Sequence, residues 1–222
     1  MRLSHGIHLA YCTNIHRGGD WPETFRSLSE YTLRVRDRVS SGKPYAIGLR
    51  LGDTASRQLA QADALEKFRA WLGENNCYVF TINGFPYGDF HGKRVKEQVY
   101  KPDWTNPERV EYTKRLFDIL AEIAPAESGG SVSTVPCSFK EFINTGEQVE
   151  AMRRNVWDVV EHIDALSKKT GKDFHLGLEP EPLCYLETTS EMIRFYRQLR
   201  DDRPGDDRLS RRLGINYDAC HL

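Results

Sequence analysis

The sequence predicts an α/β protein built as a (β/α)₈ barrel, of which about six βα units are present. Three observations predict it. Short apolar strands alternate six times with amphipathic helices, the pattern of a parallel sheet with right-handed crossovers. The first strand–helix turn reads TNIHRGGD and lacks G-x-G-x-x-G, which decides against a dinucleotide fold, and no phosphate-binding G-x-x-x-x-G-K-[ST] is present. Carboxylates close the fifth and sixth strands, where barrels of this kind carry their chemistry.

The first strand is expected over residues 7–11. Asp20 caps the following helix, Pro22 sits in its first turn and Glu23 completes a capping box. Phe25, Leu28, Thr32, Val35 and Val39 recur at spacings of three and four and predict its buried face. The second strand is YAIGLRL, over 45–51; Asp53 then starts a helix with Leu65, Phe68 and Leu72 inward. The third strand spans 77–82 and a long loop runs over 83–105. Asn106 and Pro107 start the next helix, whose buried side is Leu116, Ile119, Leu120 and Ile123. The fourth strand covers 131–135; its helix carries Val149, Met152, Val156, Val160, Ile163 and Leu166 and stops at Gly171. The fifth strand is 174–178, followed by a helix with a Thr188–Glu191 capping box and an inner face of Met192, Phe195 and Leu199. The sixth strand is expected over 213–217.

Length and composition narrow the function. The 222 residues suffice for one domain with a sizeable core, but a complete (β/α)₈ barrel typically needs ~250. A formal net charge of −1 gives no general attraction to nucleic acid or an anionic membrane. Arg34, Arg36 and Arg38 alternate and so share no helix face. No apolar run approaches ~18 residues and the N-terminus lacks a signal-peptide stretch. The five scattered cysteines read as reduced thiols, small buried side chains of a cytoplasmic protein. The expected partner is a small-molecule substrate, with no membrane and no nucleic acid; an oligomer is left open.

Ligands in such folds bind beyond the carboxyl ends of the strands. Asn14 and His16 follow the first strand; Asn83, Phe85, Tyr87 and His91 follow the third; Pro136, Ser138 and Lys140 follow the fourth. The fifth ends in Glu179-Pro180-Glu181-Pro182, with Glu187 just before its helix, and the sixth in Asp218-Ala219-Cys220-His221. Neighbouring parallel strands lie ~4.8 Å apart, so Glu179 and Asp218 are placed to share one cation. Without it their like charges repel and one carboxyl is driven to hold a proton. His221, one helical turn after Asp218, can point back to the same centre.

Blander readings stand beside these. Glu179 could be a loop carboxylate and Asp218 a helix cap. Glu181 could be a loop anchor and Glu187 a helix-start charge. His8 and His175, placed inside strands, read as structural. The aromatic loop over 86–104 is long enough to cover a site, or is a packed surface excursion.

The Glu at the end of strand five and the Asp-x-x-His at the end of strand six resemble the xylose-isomerase-like TIM barrel superfamily, which holds sugar isomerases, epimerases and endonuclease IV. The resemblance implies a divalent metal ion (Mn, Mg, Co or Zn) on Glu179 and Asp218. It implies substrate contacts from His221 and from Glu187, the latter across a longer connecting segment than in the epimerases. More closely, HLAYCTNIH, TINGFPYGDFHG with VKEQVYKPDW, STVPCSFK, GLEPEP and YDACHL are similar to the EboE family of metabolite traffic proteins. The superfamily completes its metal site with a His from strand seven and a Glu from strand eight. Neither falls within this sequence, so the chain reads as truncated or partial at its C-terminus.

The expected function is that of a metal-dependent isomerase or epimerase acting on a hydroxy-carbonyl metabolite. Glu179 would be both metal ligand and catalytic base; His221, Glu187, Glu181, Asn14, His16, Asn83 and Lys140 would line the substrate. A metabolite carrier without turnover would use the same pocket. Endonuclease IV-like phosphodiester cleavage needs more histidine ligands and a basic surface, and the near-neutral charge counts against it.

Overall fold

The computed structural model describes residues 1–40, 42–88 and 99–221. Six strands form one all-parallel sheet in chain order: β1 (Ala10–Cys12), β2 (Tyr45–Arg50), β3 (Cys77–Asn83), β4 (Gly130–Thr134), β5 (Phe174–Leu178) and β6 (Leu213–Ile215). Between them lie α1 (Trp21–Ser27), a π-helical turn (Leu28–Thr32), α2 (Leu33–Val39), α3 (Asp53–Leu59), α4 (Ala62–Glu74), α5 (Pro107–Ile123), α6 (Gly146–Thr170), α7 (Thr189–Asp202) and α8 (Arg208–Arg212).

The expected helix ends at Asp20, Asn106, Thr188 and Gly171 are used, but the Glu23 carboxylate accepts from the Gly19 amide at 2.9 Å and so does not close the expected box with Asp20, and the Thr145 cap was not foreseen. The Asp20 side chain accepts from the Glu23 amide and that of Asn106 from the Glu108 amide; Thr145–Gln148 and Thr188–Glu191 are closed capping boxes. Gly171 ends α6 at φ +70°, the left-handed position that glycine adopts without steric cost.

Strand alternation sorts the residues into two sides. Toward the helices point Ile47, Leu49, Val79, Val132, Leu176 and Leu178, all fully buried, against Leu116, Leu120, Val156, Val160 and Leu199. Toward the barrel axis the side chains are small and polar. Thr81, Ser131 and His175 are register partners across β3, β4 and β5, and Asn83, Ser133 and Gly177 form the next row up. They line an axial cavity of about 230 Å³. The expected strand five matches its observed bounds.

Five expectations change. β1 begins at Ala10 rather than residue 7, so His8 lies before the strand, where its ring bonds the Tyr78 hydroxyl at 2.8 Å; Ile7 and Leu9 are 59% and 52% exposed. In the first helical segment the π-helical turn inserts an extra residue and rotates the buried face, so Leu28 and Thr32 are buried but Val39 is 58% exposed. The helix expected from Asp53 is two helices, because Gln61 is extended at ψ 136°. β6 stops at Ile215, and α8, unforeseen, precedes it. Of the cysteines, Cys77, Cys137 and Cys184 are buried, but Cys12 and Cys220 are exposed. Among the described residues, no helix is long and apolar enough to cross a membrane.

The run into β6 is pinned by a buried acid. Asp164 on α6 accepts from Lys168 at 2.6 Å and from Arg212 at 3.2 Å, and Arg212 also reaches Asp173, ahead of β5, at 2.5 Å. The Lys168 hydrogen bond, helped by Arg212, holds the Asp164 carboxyl below the usual aspartate range against the opposing effect of burial. A folded-state pKa below the unfolded one contributes stability above the unfolded pKa, near ~4, and loses it as pH falls through the folded value. Asp164→Asn is expected to cost about 1–3 kcal/mol at pH 7, with the gap to the native chain narrowing below pH ~4. Urea unfolding at pH 7 and pH 3 checks this; a pH-independent difference would contradict it.

Candidate metal centre

The ends of β5 and β6 are built differently, and that brings their acids together. Glu179 follows Leu178 directly, its amide donating to Thr134 O at 3.1 Å, so the sheet ladder persists to the carboxylate itself. Pro180 has no N–H and lets the chain leave the sheet there. Beyond β6 the Asn216 amide donates to Leu178 O at 2.8 Å, two residues before Asp218. A 3₁₀ turn over Ala219–His221 then folds back, with Asp218 Oδ1 accepting from the Cys220 amide at 2.8 Å.

The result is a cluster of three potential ligands. One donor atom each from Glu179, Asp218 and His221 lies within 4.8 Å of the others. The His221 ring is oriented by the chain: Nδ1 is 3.1 Å from Pro180 O and Nε2 is 3.5 Å from Asp218 Oδ2. A carbonyl oxygen only accepts, so the contact at Pro180 takes an N–H at Nδ1 and leaves Nε2 turned toward Asp218. Metal-binding histidines are commonly fixed in this way, the far nitrogen donating to a backbone carbonyl.

Glu179 supplies the second sign of an absent partner. Its Oε2 is buried and has no hydrogen-bond partner, and burial raises the carboxyl's pKa against the opposing effect of the nearby Asn216 side chain. A buried carboxylate oxygen with no donor is costly unless something cationic or protic meets it. Two carboxylates and an imidazole are the donor set that divalent Mn, Co or Zn takes, and the carboxylates alone suit Mg. These residues therefore fit such a cation.

The other expected residues divide. Glu181 lies beside the cluster, close enough for its charge to act on Asp218 and His221; its carboxylate accepts from the Tyr100 hydroxyl at 3.2 Å, and burial raises its pKa. Glu187 shares a groove of about 370 Å³ with Asp218 and His221, whose apolar wall is Met192, Tyr196 and Ile215. Lys140 is committed to Glu187 at 2.6 Å and Glu191 at 3.0 Å, so its charge is already matched by carboxylates. Asn83 lines the axial cavity with Asn216, its Oδ1 accepting from the Phe85 amide. Asn14 and His16 belong to the β1 end of the sheet. The Asn14 amide oxygen is buried without a partner, and the His16 ring bonds Tyr11 at 2.9 Å and stacks on Tyr31.

Of the long loop, residues 89–98, including His91, lie outside the described residues. Its two flanks are fixed. Gly84 packs where a Cβ would come within 2.6 Å of Leu116. Fully buried Arg109 donates to the carbonyls of Gly84, Phe85 and Pro102, and burial lowers its pKa to about 10. Trp104 is buried under β4, its indole donating to Val135 O at 3.1 Å. Two site residues escaped the sequence reading. Asn216 sits two residues before Asp218, a spacing that could have flagged it. Tyr100 is one of several aromatics in the long loop and carries no local signal of its own.

No protein-family model matches the chain, and no curated protein matches it. Solved structures do match. One is the xylose isomerase domain protein from Planctomyces limnophilus, at 17% identity and TM-score 0.53, covering 86% of this chain and 59% of that one. Another is a xylose isomerase-like TIM barrel protein from Mycobacterium smegmatis in complex with magnesium, at 15% and 0.52, covering 84% and 54%. A third is the probable 3-DHS dehydratase AsbF, involved in petrobactin synthesis, from Bacillus anthracis, at 12% and 0.50, covering 86% and 58%. The chain thus spans less than three fifths of the length of each. At these identities the likeness is one of fold: six parallel strands in chain order, with intervening helices, arranged as in xylose isomerase-like TIM barrels.

Proposed function

We propose that the chain is a divalent-metal-dependent isomerase or epimerase acting on a hydroxy-carbonyl compound, a sugar or sugar-like metabolite. One observation carries the reading: the His221 ring, anchored at Pro180 O, turns its Nε2 toward Asp218, in one cluster with Glu179 and its unpartnered buried oxygen. Glu179, Asp218 and His221 would hold the cation. That one of the similar barrels is a complex with magnesium is in keeping with this.

When bound, the cation would act as a Lewis acid on a carbonyl and its neighbouring hydroxyl. The chain's own residues supply the rest. Glu179, whose burial favours the protonated form, takes and returns the proton on the carbon next to the carbonyl. The nearby Asn216 side chain favours the ionised form of that carboxylate. The groove between α7 and β6 gives the substrate an apolar wall beside the polar centre. The resemblance to the EboE family narrows the proposal to a compound handled in secondary-metabolite traffic. A carrier would use the same groove without moving protons.

Solvent exchange tests this. The chain loaded with Mn(II), in deuterium oxide with free ketoses such as D-fructose and D-ribulose, is expected to replace C–H by C–D beside the carbonyl, read by NMR. The Glu179→Gln variant is expected to lose this by at least ~100-fold, the lower range of general-base contributions. Ketose binding without exchange favours the carrier; neither binding nor exchange in the metal-loaded chain sinks both readings.

A further inference from the structure

Glu181 is outside the three-donor cluster yet is held against it. Its half-buried carboxylate takes the Tyr100 hydroxyl at 3.2 Å and interacts with the charges of Asp218 and His221. Tyr100 is not free to follow it. The ring is 9% exposed, stacked on Phe139 at 5.3 Å and met edge-on by Phe85 at 5.7 Å. The next residues are clamped by Arg109 on Pro102 O and by the buried Trp104. The hydroxyl is therefore set by packing, and the flexible partner, Glu181, is placed by it.

We infer that Tyr100 is a positioning residue of the metal centre: it holds Glu181 so that a third negative charge stands beside Glu179, Asp218 and His221 and strengthens their hold on a divalent cation. This rests on the metal reading of that cluster. Carboxylates and donors just outside a metal's ligands typically set about 10–100-fold of its affinity. A phenol suits the task because it donates one hydrogen bond and brings no charge of its own.

The test is Mn(II) binding by the whole chain, with Tyr100→Phe, Glu181→Gln and the double variant. Each single change is expected to lower affinity about tenfold, and the double variant to match Glu181→Gln alone, because the phenol acts through that carboxylate. The visible spectrum of the Co(II)-loaded Tyr100→Phe chain is expected to match the native one, since the ligands are untouched. Native-like Mn(II) affinity in Tyr100→Phe overturns the inference. So does an equal further loss when Tyr100→Phe is added to Glu181→Gln. If the native chain itself takes no Mn(II), the proposed function fails as well; if it does and only the variants behave as native, the inference alone fails.

Discussion

Glu179→Gln is expected to weaken Mn(II) binding by about 100-fold or more, above the ~10–100-fold typical of residues that only support a metal's ligands. The amide keeps the shape of the side chain and removes its charge. The same substitution is expected to leave the metal-free chain as stable as the native one, or more so, because Oε2 is buried without a donor and the charged form is disfavoured there. The two signs separate a ligand from a structural carboxylate. At Mn(II) of 100 times the native dissociation constant, the native chain gains about 2.7 kcal/mol of stability. A variant 100-fold weaker gains only about 0.4 kcal/mol at that concentration. Thermal unfolding with and without Mn(II) reads both. Equal stabilisation of the two chains would remove Glu179 from the cation.

Trp104→Ala is expected to cost about 3–5 kcal/mol, the range for emptying a large aromatic site. Trp104 is fully buried, and three hydrogen bonds tie its residue to the rest: indole to Val135 O at 3.1 Å, amide to Cys137 O at 2.9 Å, and carbonyl from Asn155 on α6 at 2.8 Å. The backbone pair survives truncation, but the cavity remains and Val135 O loses its donor. Trp104→Phe refills most of the volume and is expected to recover more than half of the loss. Denaturant unfolding checks the series, and a cost below ~1 kcal/mol for alanine would show that the loop end is not part of the core.

Much of the fold was legible because its signals are local. Asp20, Asn106, Thr188 and Gly171 announce helix ends through one side chain or one φ angle, and the structure uses each as expected. Phe174–Leu178 was readable as a strand because a short apolar run ends abruptly in charge and proline. The pairing of Glu179 with Asp218 was legible only through topology: neighbouring strands in chain order bring their ends together. What escaped depends on distant partners. Nothing local marks the π-helical turn that hides Leu28 and leaves Val39 in solvent. Lys140 read as a strand-end cation, and only tertiary structure sets it against Glu187 and Glu191. The tie between Tyr100 and Glu181 spans 81 positions.

The inward rows of hydroxyls, amides and glycines have a further meaning for how this barrel can change. Threonine, serine and glycine at the axis contribute little oil-like cohesion, so the staves are held from outside, by the helices on their backs. Folding and chemistry are thereby assigned to opposite sides of the same strands. Positions such as Ser131, Ser133 and His175 are free to drift toward new substrates while the outward valines and leucines keep the shell intact.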